Sequence, residues 1–383
     1  MIVRSLRLEN FRNHAETLLS FSQRCNVLTG DNGQGKTNVL EGLSFAALTK
    51  SFYASHDSDA VRRETQGFGV QLHTIAETDV QYTTVLTYSL PDATKKISLN
   101  KAAVHPASSL VGLVPIVVLS PENSGITFGA PSERRRFLDV LLSQASKSYL
   151  ADVSEYRQIL RQRNRVLLDA KISRSDPAKL LEPWDEQLCG RGARIIVRRS
   201  ETIRQLKPIV ASVYASIAGE IERPALEYAT SVEEPERSDV QRASSALLRE
   251  LDVMRSEERR LGSTLIGPHR DDVSFHVDGL ELRGFASQGQ HKTFLVALKL
   301  AEFEFLKEQT RETPLLLLDD VFSELDERRS HNLLESIKDR GQTFITATDT
   351  RPFPRGFFEQ AEHSHFIVAQ GTAVRAEAES IAR

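Results

Sequence analysis

Gly30-Asp31-Asn32-Gly33-Gln34-Gly35-Lys36-Thr37 is the stretch on which the reading of this chain turns. Asn26-Val27-Leu28-Thr29 runs straight into it, and Val39, Leu40, Leu43, Phe45 and Ala46 follow at helical spacing. Strand, glycine loop and helix are the context in which Gly-x-x-x-x-Gly-Lys-Thr binds phosphate. Glycines allow positive φ and bring backbone N–H groups close to a β-phosphate. A helix starting at Lys36 adds the positive end of its dipole. Lys36 is placed for the β- and γ-phosphates, and the Thr37 hydroxyl for Mg²⁺. The bland alternative is a glycine turn with an exposed lysine; the flanking strand and helix weigh against it.

Roughly 280 residues further on stands Leu315-Leu316-Leu317-Leu318-Asp319-Asp320. A carboxylate at the end of a buried parallel strand points at the ligand crevice of an α/β sheet. Asp319 is expected to hold Mg²⁺, directly or through water. Asp320 is expected to face and polarise a water attacking the γ-phosphate. Shortly before, Ser287-Gln288-Gly289-Gln290 opens an apolar-faced helix through Phe294, Leu295, Ala297, Leu298 and Leu300. A Ser hydroxyl and a Gly amide at a helix start can donate to phosphate. As a lone tetrapeptide this is weak; its position ahead of Asp319 makes it informative.

The 383 residues can bury a sizeable core, and 40% hydrophobic with 26% charged residues is ordinary for a globular chain. The longest apolar run, Leu110 to Leu119, is short and contains Gly112 and Pro115, so it reads as a buried strand and no membrane partner is expected. Cys25 and Cys189 lack CxxC spacing; a zinc site or disulfide framework is not expected, and a reducing cytoplasm fits. The net charge is −3, but Arg134 to Lys207 holds 17 Lys and Arg against 9 Asp and Glu. That asymmetry marks where a polyanion would bind, although a solvated helical face is an equal alternative.

Residues 1 to 29 read as strands. From Phe68 to Leu119 alternation predicts an antiparallel sheet, with turns at Thr78-Asp79 and Pro91-Asp92. From Ser132, a candidate N-cap, to about Gly219 the pattern is helical, punctuated by Pro177 and Pro183. Residues 231 to 239 read as a loop. Sheet returns at Val273 to Val277, with an Asp278-Gly279 turn leading to Leu280-Glu281-Leu282. Helix and strand then alternate at 289–309, 314–319, 328–339 and 342–348. The expected architecture is α/β: a head from 1–130 and 265–383, with a β subdomain at about 68–119, and an inserted helical lobe from 131–264.

Together the two half-sites and the inserted stretch resemble an ATPase head of the ABC/SMC/Rad50 kind. Further stretches sharpen the likeness: Asn10-Phe11-Arg12-Asn13; Phe128-Gly129-Ala130-Pro131 followed by Arg134-Arg135 and Phe137-Leu138-Asp139; Gly267-Pro268-His269-Arg270-Asp271-Asp272; and Leu317 to Asp326. In that order, from residue 1 to about 350, they resemble the bacterial RecF family. The resemblance implies an ATP-dependent recombination mediator with a slow ATPase used as a switch. Such a protein forms a homodimer around two ATPs and binds single-stranded, gapped or junction DNA. With RecO- and RecR-like partners it supports RecA loading, replication-linked repair and SOS induction. Carried over, Gly30, Asp31, Asn32, Gly33, Gln34, Gly35, Lys36 and Thr37 bind ATP, with Arg12 and Asn13 beside them. Thr37 and Asp319 hold Mg²⁺; Asp320 and Lys36 serve hydrolysis. Ser287, Gly289 and Gln290 reach the γ-phosphate across the dimer, and Asp326 lies in the coupling loop.

The pattern also departs from the broader one. Asp320 stands where transporters carry Glu, the switch position after Thr343–Ala347 is Thr348, and Glu122 or Asn123 is expected in place of the Gln lid. An ABC transporter subunit fits poorly with Ser-Gln-Gly-Gln and the insertion of roughly 130 residues before Gly267. A chromosome-organising SMC or Rad50-like factor lacks its long heptad arm here. His269, Asp271 and Asp272 lack a nucleophile beside them and read as a structural loop. Of Arg134, Arg135 and Arg136, one or two are expected to meet a phosphate backbone while another pairs with Glu133 or Asp139. Tyr149 and Tyr156 read as core.

Overall fold

The computed structural model describes residues 1–52, 56–219 and 222–376. The chain opens with β1 (Ile2–Phe11), β2 (His14–Ser20) and β3 (Cys25–Thr29), then α1 (Lys36–Leu48). β4 (Gly67–Ile75), β5 (Gln81–Ser89), β6 (Thr94–Leu99), β7 (Ala102–Ala103) and β8 (Ile116–Leu119) follow. Next come α2 (Ser124–Phe128), α3 (Pro131–Ala145), α4 (Lys147–Ser173), α5 (Ala178–Ala218), β9 (Pro224–Ala229) and α6 (Val240–Leu261). Then β10 (Asp272–Val277), β11 (Leu280–Glu281) and α7 (Leu282–Phe285) lead to α8 (Gln288–Thr310) and β12 (Leu315–Leu318). The last elements are α9 (Glu327–Ile337), β13 (Thr343–Ala347), β14 (His363–Ala369) and β15 (Thr372–Arg375).

These elements form two compact units. The first comprises Met1–Ser124, Ser212–Glu222 and Gln288–Arg383; the second, Gly125–Ala211 and Arg223–Ser287. The first is built on two sheets. One is antiparallel, in the order β2-β1-β4-β5-β6-β7. The other runs β15-β14-β3-β13-β12-β8 and is parallel except for β15. β3, β8, β12 and β13 are buried along their whole length, as expected for a parallel sheet covered on both faces. α1 is buried nearly all round, with Leu8, Phe11 and Phe68 in the core beside it. Phe11, Phe45 and Phe68 meet edge to face at 5.2–5.6 Å.

Three features of this unit differ from the alternation pattern. β8 leaves the antiparallel sheet and pairs with β12, Ile116 opposite Leu315. Its Ile-Val-Val-Leu run has no alternation, which is what burial on both faces requires. β1 and β2 join the antiparallel sheet, Leu8 facing Val70, so the β subdomain begins at the N-terminus. β14 and β15 form a hairpin, Ala369 opposite Thr372, beyond the elements the sequence predicts.

The second unit is mainly helical, with a small sheet in the order β11-β10-β9. Pairing of β10 with β9 places residues 265–287 here, whereas the sequence assigns them to the head. Pro131 occupies the first turn of α3 and Ala130 its N-cap, so Ser132 lies inside the helix; a missing N–H costs nothing at that position. Pro183 lies within the 41-residue α5 and does not end it. The carbonyl it leaves without a helical donor belongs to exposed Lys179, where water can serve.

Buried ion pairs organise this unit. Arg163, 1% exposed, donates to Asp185 at 2.7 Å, Glu258 at 2.7 Å and Thr264 at 2.8 Å, tying α4 to α5 and α6. Burial opposes its charge, but Glu258 and Asp185 raise its pKa above the ordinary value. Arg134 meets Asp272 in a two-pronged pair at 2.8 Å, not Glu133 or Asp139, and Arg135 donates to the Asp271 carbonyl at 2.6 Å. Asp139 instead takes Arg199 and Arg157, both at 2.8 Å. His269 bonds the Tyr156 hydroxyl at 2.7 Å, and Tyr228 donates to Asp271. The histidine-aspartate loop is thus a structural network, and Tyr149 and Tyr156 are core.

Candidate functional site

The glycine loop joins the end of β3 to α1 in the first unit. Gly30, Gly33 and Gly35 all have positive φ. At Gly30 a Cβ would lie 2.2 Å from the Val368 carbonyl oxygen, so only glycine fits against β14. Two neighbouring turns support the loop. Asn13 donates to the Gln34 carbonyl at 2.9 Å and accepts from Asn38 at 2.7 Å. His14, fully buried, lies 3.1 Å from the Gly35 carbonyl, and burial lowers its pKa. From the β14–β15 turn, the Gly371 N–H reaches the Gln34 carbonyl at 3.0 Å and the Gln370 N–H reaches Gln34 Oε1 at 2.6 Å. His14, Gln370 and Gly371 escaped the sequence reading. Gly371, just after the apolar run Phe366-Ile367-Val368-Ala369 and Gln370, was the available signal.

Register brings the distant half of the site here. β13 lies between β3 and β12, with Ala347 opposite Thr29 and Ile345 opposite Leu318. The carboxyl ends of the three strands therefore share one edge. Thr37 Oγ1 donates to Asp319 at 2.9 and 3.0 Å across 282 residues of sequence. Thr346, at the end of β13, donates to Asp319 Oδ1 at 2.6 Å and accepts the Asp320 N–H at 2.9 Å. Asp320 adopts a left-handed conformation, φ 51°.

The electrostatics match a polyanion site completed by a cation. Burial raises the Asp319 carboxyl above its ordinary pKa; bonds from Thr346 and Thr37 oppose this, while the nearby charges of Glu122 and Asp320 add to it. Burial lowers the Lys36 ammonium, against the pull of Asp320, Asp319 and Asp31. Lys36 Nζ donates to the Gly30 and Asp31 carbonyls at 2.6 and 2.9 Å. Among the described residues no three His, Cys, Asp or Glu side chains group as a metal cage. Thr37 and Asp319 instead offer a hydroxyl and one carboxylate, hard oxygen donors of the kind Mg²⁺ takes alongside phosphate and water.

The other expected residues have surroundings of their own. Arg12 makes a two-pronged pair with buried Glu41 at 2.8 Å and donates to the Asp59 carbonyl at 2.7 Å, so all three guanidinium nitrogens bind protein groups. Ser287 is exposed directly before α8. Gln290 donates to Glu222 at 3.0 Å, and Gly289 packs so that a Cβ would lie 2.6 Å from Arg329. Asp326 caps α9 through the Arg329 N–H at 2.9 Å. Cys25 and Cys189 are buried free thiols. Among the described residues no helix is long and apolar enough to cross a membrane.

A phosphate loop and a strand-end carboxylate on a mixed sheet, in a chain that also holds an antiparallel sheet and a helical unit, define an ABC/SMC-type ATPase head. The RecF/RecN/SMC N terminal domain family model matches residues 2–370. The "DNA replication and repair protein RecF" of Salinibacter ruber is 40% identical over 375 residues, covering 97% of this chain and 91% of that relative. Its counterpart from Symbiobacterium thermophilum is 40% identical over 381 residues, 98% of each. A solved structure described as "Structure of the recombination mediator protein RecF-ATP in RecFOR pathway" superposes with TM-score 0.89, at 30% identity over 98% of each chain. An SMC head, "SmcHead bound to the C-winged helix domain of ScpA", gives TM-score 0.55 at 14% identity over 99% of each chain, a likeness of fold alone. The chain belongs to the RecF family of DNA replication and repair proteins.

Proposed function

We propose that this chain is an ATP-dependent recombination mediator whose slow ATPase works as a switch. The Thr37–Asp319 contact carries the reading, because it assembles a phosphate loop and a cation-binding carboxylate from opposite ends of the chain. A relative of the same fold was solved with ATP. In this reading Gly30 to Thr37 cradle ATP, Thr37 and Asp319 hold Mg²⁺, and Asp320 polarises the attacking water. Mg²⁺ would neutralise charge on the phosphates, and Lys36 would turn from the loop carbonyls to the β- and γ-oxygens. Ser287, Gly289 and Gln290 complete the site of a second copy, with Asp326 in the loop between. Closure around two ATPs favours binding to single-stranded, gapped or junction DNA, through the basic stretch from Arg134 to Lys207. RecO- and RecR-like partners then promote RecA loading at gaps, which supports replication-linked repair and SOS induction in the cytoplasm.

Sedimentation of the purified chain with ATP, ADP and gapped DNA tests this. ATP should double the sedimenting mass and recruit DNA, ADP should do neither, and Lys36→Met should abolish the ATP effect. Dimerisation of Lys36→Met on ATP addition sinks the switch reading.

A further inference from the structure

We infer that Thr346 is a positioning residue that sets both acidic side chains of the site at once. Its hydroxyl bonds both residues: it donates to Asp319 Oδ1 at 2.6 Å and accepts from the Asp320 N–H at 2.9 Å. The residue is 1% exposed, so no water substitutes freely for either bond. The arrangement follows from register. Leu318 lies opposite Ile345, and the next residues along, Asp319 and Thr346, meet where β12 stops pairing and β13 continues.

Each bond has a separate consequence. The bond to Oδ1 fixes rotation of the Asp319 carboxylate, whose two oxygens both receive the Thr37 hydroxyl. The bond from the Asp320 N–H holds that backbone at φ 51°, a left-handed conformation that a non-glycine residue keeps only when its surroundings impose it. The direction of the Asp320 side chain depends on that conformation. One hydroxyl thus ties the residue proposed to hold the cation to the residue proposed to polarise water. Thr346 touches neither nucleotide nor water in this account and acts through Asp319 and Asp320. The inference rests on the ATPase reading.

The test compares Thr346→Val, which keeps shape and removes the hydroxyl, with Thr346→Ser, which keeps the hydroxyl. ATP affinity without Mg²⁺, ATP turnover and the Mg²⁺ concentration for half-maximal turnover are measured for each. For Thr346→Val, affinity without metal should stay near wild type, turnover should fall about 10- to 100-fold, and the Mg²⁺ requirement should rise, the range for losing a group that orients a metal ligand. Thr346→Ser should recover most of the turnover. Equal losses in both variants, or a Thr346→Val variant with wild-type turnover and Mg²⁺ response, overturn the inference. If Thr346→Val does not fold, Thr346→Cys, a weaker donor of similar size, should still lose turnover; full activity there overturns it too. A wild-type chain without ATP turnover would instead remove the ATPase reading itself.

Discussion

Arg163→Met isolates what the buried ion pairs of the helical unit contribute. Methionine keeps an unbranched apolar stem, so the main loss is the guanidinium and its three bonds. The two acids it leaves are not equivalent. Glu258 is fully buried and retains the Leu265 N–H at 2.7 Å, while Asp185 keeps Arg255 at 3.6 Å. Removing one partner of a buried pair typically costs about 3–5 kcal/mol, because the remaining charge loses its compensation. Most of that should fall on Glu258. Urea unfolding followed by Trp184, the sole tryptophan and next to Asp185 in α5, reads the relevant unit. A deficit under about 1 kcal/mol at pH 7.5 would refute the compensation argument.

Burial raises Asp271 to about 6, against bonds and charges from Tyr228 and Arg199, so its protonated form stabilises the fold below 3.8 and that stability is lost as pH rises through 6. The advantage of Asp271→Asn over wild type should grow by about 3 kcal/mol between pH 4 and 6 and then level off; His269, lowered to about 4 by burial, slopes the opposite way, so a paired unfolding titration is needed, and a flat difference refutes the shift. Gly371→Ala should melt earlier and bind ATP more weakly, since φ is 75° and the Cβ would sit 2.2 Å from the Asn13 carbonyl oxygen; Gly33→Ala, with open space, should cost only conformational strain, of order 1 kcal/mol. Equal melting shifts would remove the clash as the cause. Asp320→Asn should bind ATP but release DNA more slowly than wild type in a stopped-flow chase; faster release counts against its role in hydrolysis.

The local parts of the site were legible because they obey local rules. Gly30, Gly35 and Lys36 announce a loop and a helix start, and four leucines before Asp319 announce a doubly covered strand. Asp278-Gly279 marks a hairpin, and the structure gives both residues positive φ. Other features lacked a local signature. β8 looked like one more strand of the meander, although its continuous apolar run was the clue to the parallel sheet. Pro183 read as a stop because sequence does not tell whether the carbonyl it orphans is wet. Nothing near Arg12 in the sequence names Glu41 as its partner.

By itself the sequence determined the chemistry at hand: which backbone can close on a phosphate, which residues can bear a cation, and that some 280 residues lie between them. The reason is that φ preferences, helix starts and burial of uninterrupted apolar strands act over a few residues. The tertiary structure decided which of these groups meet. Strand order set β13 between β3 and β12, and so brought Thr37, Asp319 and Thr346 within hydrogen-bond distance. That pairing depends on register across the sheet, a long-range choice made by the packing of the whole core.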